Sequence, residues 1–481
     1  MNAPSGEAPP PAFRPGAAAA LKDAELRANF RRAMDGLMEK RGSALSDPAE
    51  WRPLRALGAA IRARTLAKLP ELLVRLEESC TRNGIQVHWA ETTEEANAIV
   101  HGILKRRGAT RVVKGKSMVS EEMRLNDYLE ARGVESLESD LGEYIIQLDH
   151  EMPSHIIAPA IHKNRTQIAK LFGRKIREAK DTDDIDAMTA LARRVLRRKF
   201  FDADAGISGV NFAVAETGTL CLVENEGNGR MCTHVPPVHI ALMTLEKVVE
   251  RLEDVPPLYS LLTRSATGQA ISTYFNMISG PRRAGEKDGP EEVHCVILDA
   301  GRTRILEDPE LSATLRCIRC GACMNHCPVY TRTGGHAFEA VYPGPIGTIL
   351  TPQLEGLDRR PDLLEASSLC GACGEVCPVG IPIPELIGRL RREAVREAGT
   401  SRVLGAGTHR RALESLAWKL WAVSHRSPGL YGLLGRAATR LRFLLPRRLP
   451  LLSAWTSVRA KPRPAARTLH ELARREGVPG A

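Results

Sequence analysis

The chain has 481 residues, 43% of them hydrophobic, and a formal charge of +11; that is long enough for two or three domains with cores of their own and ordinary for a globular protein. The charge sits at one end, since residues 401–481 hold 16 Lys and Arg against three Asp and Glu, a balance of +13 that leaves −2 for the 400 residues before them. A body with no basic stripe and no groove-reading motif argues against nucleic acid as a partner, and no uncharged window of 18 apolar residues exists to predict a transmembrane helix.

Residues 1–20, mostly Ala and Pro, are expected to have no fixed structure, and without a basic n-region or an apolar h-region they do not read as a signal peptide. Over 21–41 the residues Leu26, Phe30, Met34 and Leu37 recur every three or four positions, which predicts a helix. A second helical pattern runs over 53–80 and ends in Cys80, read as a core thiol. Residues 21–80 thus form a helical N-terminal segment.

Between 81 and 300 the pattern alternates. Strands are predicted over 85–89, 111–113, 144–148 and 155–158, and helices over 93–107, 120–132 and 184–201. Strand–helix–strand with short links implies a parallel sheet covered by helices. Arg193, Arg194, Arg197, Arg198 and Lys199 at the end of the last helix suit a solvated helix C-terminus. Residues 210–215 and 220–223 flank Glu216-Thr-Gly-Thr219 as a hairpin. The Gly-rich turn 224–230 offers backbone amides to a phosphate or carboxylate, although such a turn is more often only a hairpin. Glu216 and Glu224 come with no identifiable partner as nucleophile or base.

Residues 301–398 carry the most specific signal. The run Cys317-Ile-Arg-Cys320-Gly-Ala-Cys323-Met-Asn-His-Cys327-Pro328 has the C-x2-C-x2-C-x3-C-P spacing of two-cluster ferredoxins, in which the fourth Cys ligates the other cluster. After 41 further residues comes Cys370-Gly-Ala-Cys373-Gly-Glu-Val-Cys377-Pro378. Folded with pseudo-twofold symmetry, one [4Fe-4S] cluster takes Cys317, Cys320, Cys323 and Cys377, and the other takes Cys327, Cys370 and Cys373. The missing eighth position falls on Ser367. Ser367 itself, a water, another side chain or an absent iron, which would leave a [3Fe-4S] form, all satisfy the spacing. Structural zinc fits less well, because zinc sites pair two C-x2-4-C knuckles. An odd total of 11 cysteines without a secretory segment points to a reducing cytosol rather than to disulfides. The prolines after Cys327 and Cys377 turn the chain away from the metal. Residues 336–357, rich in Gly and Pro, read as loop, and 361–368 as a returning helix. His326, beside Cys327, is placed to tune a cluster through a hydrogen bond, though such a residue is more often simply exposed.

The run Lys114-Gly-Lys-Ser-Met118 with Ser120-Glu-Glu122, then Ser139-Asp-Leu-Gly-Glu-Tyr-Ile-Ile-Gln147, Pro153-Ser-His-Ile-Ile-Ala-Pro-Ala-Ile-His162 and Glu216-Thr-Gly-Thr219, resembles the LUD domain of lactate-utilisation proteins. With the two cysteine runs downstream, the chain resembles the B-type iron–sulfur subunits of that group over roughly 21–475. The resemblance implies an α/β LUD domain of the sugar-isomerase and CoA-transferase type over 81–300. It also implies a helical ferredoxin-like domain with two [4Fe-4S] clusters on the same seven cysteines. It implies partners too, a CCG-domain iron–sulfur protein and a second LUD protein, and a role in turning L-lactate into pyruvate with electrons passed towards the respiratory chain. It carries over no catalytic residue for the LUD domain.

The region 399–481 holds Trp418, Trp421 and Trp455 among arginines. Such a segment suits an anionic membrane surface or an acidic partner, or else a solvated extension whose tryptophans pack back on the ferredoxin part. The expected location is cytoplasmic, with peripheral attachment to the inner face of the membrane left open. Two functions stay in view. In one the chain is an electron carrier in lactate oxidation. In the other the LUD domain is itself catalytic, by acyl or CoA transfer or 2-hydroxy-acid binding, with the clusters as accessory redox centres. No G-x-G-x-x-G follows a strand and no Walker run occurs, so nucleotide or flavin binding has no motif behind it.

Overall fold

A computed structural model describes residues 13–395, 412–444 and 465–478. The chain divides into two compact units, Met1–Thr408 and His409–Ala481.

Among the described residues of the first unit, ten strands appear in chain order: β1 (Ile85–Ala90), β2 (Arg111–Lys114), β3 (Glu135–Glu138), β4 (Ala205–Gly209), β5 (Phe212–Val214), β6 (Thr219–Glu224), β7 (Val238–Thr244), β8 (Val248–Val249), β9 (Tyr274–Ile278) and β10 (Glu292–Leu298). Six build a fully parallel sheet in the order β1-β10-β7-β4-β2-β3. All seven residues of β7 are buried, as expected of a central parallel strand covered on both faces. The order reverses between β2, whose chain continues outward to β3, and β4, whose chain continues inward to β7 and β10. The other four strands form a mixed sheet, β8-β5-β6-β9, in which β5 and β6 are the expected antiparallel hairpin.

The helices at Ala24–Ala44, Thr93–Arg106 and Ile185–Asp202 lie where their periodicity places them. Six expectations are corrected. Residues Phe13–Ala20 are a helix, because an alanine run is a strong helix former and Phe13 anchors it, its ring 4.9 Å from that of Phe338; residues 1–12 lie outside the described residues. The pattern over 53–80 is two helices, Pro48–Ala67 and Leu69–Arg82, interrupted at Lys68 where Pro70 cannot continue the preceding hydrogen-bond ladder. The pattern over 120–132 is likewise split, at Arg124, which takes φ of 50° between Met118–Glu122 and Leu125–Glu130. The apolar run expected as a strand over 144–148 belongs to a helix, Leu141–Leu148, started by Asp140, whose side chain accepts from the Glu143 amide at 3.1 Å; a short apolar run does not by itself separate buried strand from buried helix. Residues 155–158 are irregular, and 336–357 contains the helix Gly344–Glu355.

No strand occurs in residues 301–395, which are short helices and turns. A single apolar core joins them to the N-terminal helices and to one face of the sheets. The loop over 153–158 is their seat. Tyr330 donates to the Ser154 carbonyl at 2.6 Å, and the buried His155 ring bonds Asn325 Oδ1 at 2.9 Å through Nε2 while Nδ1 accepts the Ile157 amide at 3.0 Å. That use of the ring and backbone is why 155–158 does not join a sheet. Burial pushes His155 down to about 4, so the ring is neutral at neutral pH and has the single N–H this arrangement needs.

The second unit contains the helices Ala412–Arg426, Pro428–Arg440 and Leu469–Arg475. Trp418 and Trp421 are more than half exposed, Trp421 stacking on His425 at 4.2 Å; Trp455 lies outside the described residues. No helix among the described residues is long and apolar enough to cross a membrane.

Candidate metal centre

The two cysteine runs fold as a repeat with an offset of 50 residues. In the first, a 3-10 turn (Leu311–Arg316) leads to Cys317, Arg319 takes φ of 61°, Gly321 takes φ of 76°, and the one-turn helix Ala322–Asn325 carries Cys323. In the second, a 3-10 turn (Pro361–Glu365) leads to Ser367, Leu369 takes φ of 55°, Gly371 takes φ of 90°, and the helix Ala372–Val376 carries Cys373. Left-handed backbone at a bulky Arg or Leu is costly and persists only where the surroundings fix it. Its recurrence at the same place in both loops marks a wrapped sulfur site rather than chance.

The two short helices pack against each other, which brings the runs together. Mutual repulsion between sulfurs sorts them. Cys320 is pushed up by Cys317 and Cys377, and Cys323 by Cys320, Cys317 and Cys377, in each case after burial, the largest cause. Cys327 is raised by burial and then Cys370, and Cys373, pushed up to about 12, by burial and then Cys327 and Cys370. By these influences Cys317, Cys320, Cys323 and Cys377 lie near one another, as do Cys327, Cys370 and Cys373. A weaker influence of Cys373 on Cys323 shows that the groups are neighbours.

These residues suit iron–sulfur clusters. Burial holds the thiols of Cys320, Cys323, Cys327, Cys373 and Cys377 in the protonated form, and a bound metal is what turns such groups into thiolates. Backbone amides already point at the sulfurs: Arg319 N lies 3.4 Å from Cys317 Sγ, Tyr330 N 3.5 Å from Cys327 Sγ and Ile381 N 3.3 Å from Cys377 Sγ. Such donors stabilise sulfur-bound negative charge. Cys370 is exposed and Ser367 half-buried, so the three-cysteine group opens to the surface.

Cations surround the sulfurs, and periodicity alone did not assign them to the site. Arg41 donates to the Val376 carbonyl at 3.1 Å, Arg55 to the carbonyls of Cys377 at 2.7 Å and Gly374 at 2.9 Å, and Arg62 to those of Leu315, Arg316, Val248 and Glu246. The available signal was Arg62 on the otherwise apolar face of its helix, where it is only 2% exposed. Arg319 belongs to a buried chain of ions. Its Nη2 lies 2.9 Å from Glu246 Oε1, Arg302 Nε lies 2.9 Å from Glu246 Oε2, and Arg302 makes a two-pronged pair with Glu122 at 2.7 and 2.8 Å, to which Tyr342 also donates at 2.9 Å. Burial alone would raise the Glu246 carboxyl, but Arg302 and Arg319 outweigh it and hold it down at about 2. The Ser120-Glu-Glu122 motif thus ties the sheet to the first cysteine loop.

Other sequence candidates are accounted for by structure. The amides of the Gly-rich turn are taken by the chain itself, Glu224 accepting from Gly229 at 2.7 Å and Arg230 at 2.8 Å. Glu216 accepts from the Leu252 amide at 3.2 Å. His326 Nδ1 contacts the Ala322 carbonyl at 2.9 Å, so that nitrogen is turned to the backbone. Lys114 is buried between Glu138 and Glu121 at 2.6 and 3.0 Å. Arg198 and Lys199 pair with Glu178 and Glu135 at the surface. Glu151, His162 and His336 lie within 4.8 Å of one another, but Lys163, 2.9 Å from Glu151, already supplies a cation there.

The LUD domain model matches residues 73–298, a 4Fe-4S dicluster domain matches 313–381, and the C-terminal domain of lactate utilisation protein B matches 389–478. Lactate utilization protein B of Shouchella clausii is 43% identical over 452 residues, covering 92% of this chain and 93% of the relative. That of Bacillus pumilus is 41% identical over 462 residues, covering 94% and 95%, and that of Bacillus velezensis is 42% identical over 421 residues, covering 87% and 86%. A crystal structure of a DUF162 family protein from Deinococcus radiodurans overlaps 48% of this chain and 98% of its own at 14% identity and a TM-score of 0.28.

Proposed function

Because this chain belongs to the lactate utilisation protein B family, we propose that it is the electron-carrying iron–sulfur component of a system that oxidises L-lactate to pyruvate. The observation that supports this reading is the nearness of the two cysteine runs, whose short helices pack against each other, because two clusters held there would lie side by side. Oxidation of a 2-hydroxy acid releases two electrons, and adjacent one-electron centres pass them on singly. Two [4Fe-4S] clusters would be held, one by Cys317, Cys320, Cys323 and Cys377, the other by Cys327, Cys370 and Cys373 with Ser367 Oγ in the eighth position. What the clusters supply when bound is reversible electron storage. What the chain supplies is their spacing, amide donors to the sulfurs, and the arginines that offset an anionic centre.

The partners on this reading are a CCG-domain iron–sulfur protein and a second LUD protein. The exposed tryptophans and the arginines of the second unit suit contact with an acidic partner or an anionic membrane surface. The test is anaerobic iron and sulfide analysis with EPR on the isolated chain, followed by L-lactate addition with and without the two partners. About eight irons per chain, with clusters reduced by lactate only when the partners are present, is the expected result. A colourless protein, or one carrying zinc, would overturn it. Lactate bleaching of the isolated chain would favour the alternative in which the LUD domain itself is catalytic.

A further inference from the structure

At the reversal of strand order between β2 and β4, a cavity of about 280 Å³ opens on the carboxyl ends of β2, β4 and β7. Adjacent connections leave in opposite directions at such a point, and the crevice between them is where open α/β sheets take ligands. Lys116 and Ser117 follow β2, Asn211 follows β4 and Lys247 follows β7, while Arg319 and Tyr342 close the cavity from the cysteine region. The cavity therefore lies between the sheet and the loop that carries Cys317.

Its charges are unevenly used. Glu224 is spent on the amides of Gly229 and Arg230 and on Asn276. Arg319 is spent on Glu246. Glu226, raised to about 6 by burial and then by Asp140, still holds most of its charge at neutral pH and is spent on the Leu141 amide at 3.2 Å. Lys116 is different. Its Nζ is buried with no hydrogen-bond partner, and the closest carboxylate oxygen in an ion pair with it, Glu143 Oε1, stands off at 3.8 Å. An ammonium has three donors, and leaving all of them unmade in a buried position is costly. Lys247 brings a second cation to the same cavity, within electrostatic reach of Cys317.

We propose that this cavity binds a small carboxylate of the 2-hydroxy or 2-oxo acid class, its carboxylate on Lys116 Nζ, next to the four-cysteine group. The cavity's small size and its mixture of apolar wall and two lysines, Lys116 held only at 3.8 Å from Glu143, fit a short monoanion better than a nucleotide or an acyl-CoA. Lys247, which lines the cavity and lies within electrostatic reach of Cys317, makes occupancy visible to the neighbouring cluster. The assignment rests on the lactate reading above and locates its substrate or product on this chain.

The experiment is calorimetric titration of the anaerobically purified, cluster-loaded full chain with sodium L-lactate, sodium pyruvate and sodium phosphate. Iron content and EPR are read on the same samples. Wild type should bind at least one of the two carboxylates, Lys116→Met should weaken that binding by about tenfold or more, and the charge-keeping Lys116→Arg should recover most of it. Binding should also shift the EPR line shape of the reduced four-cysteine cluster, and Lys247→Met should remove that shift while binding persists. Absence of carboxylate binding to wild type with intact clusters, equal binding by Lys116→Met, or binding of phosphate alone would overturn the proposal. Such a result leaves the electron-carrier reading standing, because that reading fails only if the iron and EPR signals are missing.

Discussion

Ser367 Oγ stands where Cys317 Sγ stands in the other loop. Each accepts the amide of the residue two positions on, Leu369 N at 3.2 Å and Arg319 N at 3.4 Å, and each of those residues is left-handed. The serine loop is held in place by Arg391, which donates to the carbonyls of Ser367 at 2.9 Å and Leu364 at 2.7 Å.

Ser367→Cys is therefore expected to fit without rearrangement and to keep both clusters with four irons, changing only the potential and EPR line shape of the second. Ser367→Ala removes the oxygen and should drop the iron content from about eight to about seven per chain, with a three-iron EPR signal in the oxidised protein. Unchanged iron content and spectra in Ser367→Ala would show that the eighth position is filled by something other than this hydroxyl.

Glu246 is fully buried between Arg302 and Arg319. Glu246→Gln leaves two guanidinium groups without their counter-charge, and such a broken buried pair costs about 3–5 kcal/mol. Denaturant unfolding should show that loss, and the released Arg319 should alter the EPR spectrum of the four-cysteine cluster. A loss under about 1 kcal/mol would mean the network is better hydrated than its burial implies.

Arg55 holds two carbonyls of the second cysteine loop, and its removal should loosen that loop more than the fold. Arg55→Ala is expected to cost about 2 kcal/mol, in the range of hydrogen bonds to a charged group, and to speed the loss of iron to a chelator several-fold. Arg198→Ala, which breaks only an exposed pair with Glu178, should do neither.

His239 on β7 is buried and pushed down to about 3 by desolvation, with its ring bonded to Ser208 at 2.8 Å. In the unfolded chain the imidazole titrates near 6.5. The unfolded state therefore binds the extra proton first, and this residue's contribution to stability is intact above about pH 6.5 and falls steadily as pH drops towards 3, by about 1.4 kcal/mol per unit once fully below 6.5. Comparing urea unfolding of wild type and His239→Gln at pH 7.5 and 5.5 isolates the effect. The gap between the two proteins should narrow at the lower pH, and a constant gap would contradict the assignment of a neutral buried imidazole.

The helical periods at Ala24–Ala44, Thr93–Arg106 and Ile185–Asp202 were legible because one-sided burial prints itself on the sequence every three or four residues. The strands 85–89 and 111–113 were legible for the analogous reason. The run at 144–148 misled because Tyr144, Ile145 and Ile146 are buried in a packed helix, where apolar residues crowd without a period. Loop 153–158 misled because its Ser154 carbonyl and His155 ring form a seat for Tyr330 and Asn325, which lie more than 160 residues away in the chain.

Sequence by itself determined the metal chemistry of this protein: thiol spacing along the chain sets which sulfurs can wrap one cluster, and that is a local property of a few residues. The folded structure decided what surrounds it. Three arginines from the N-terminal helices, the Glu122–Arg302–Glu246–Arg319 chain and the cavity under Lys116 all join residues far apart in sequence, and nothing in a one-dimensional pattern records which buried charge will meet which.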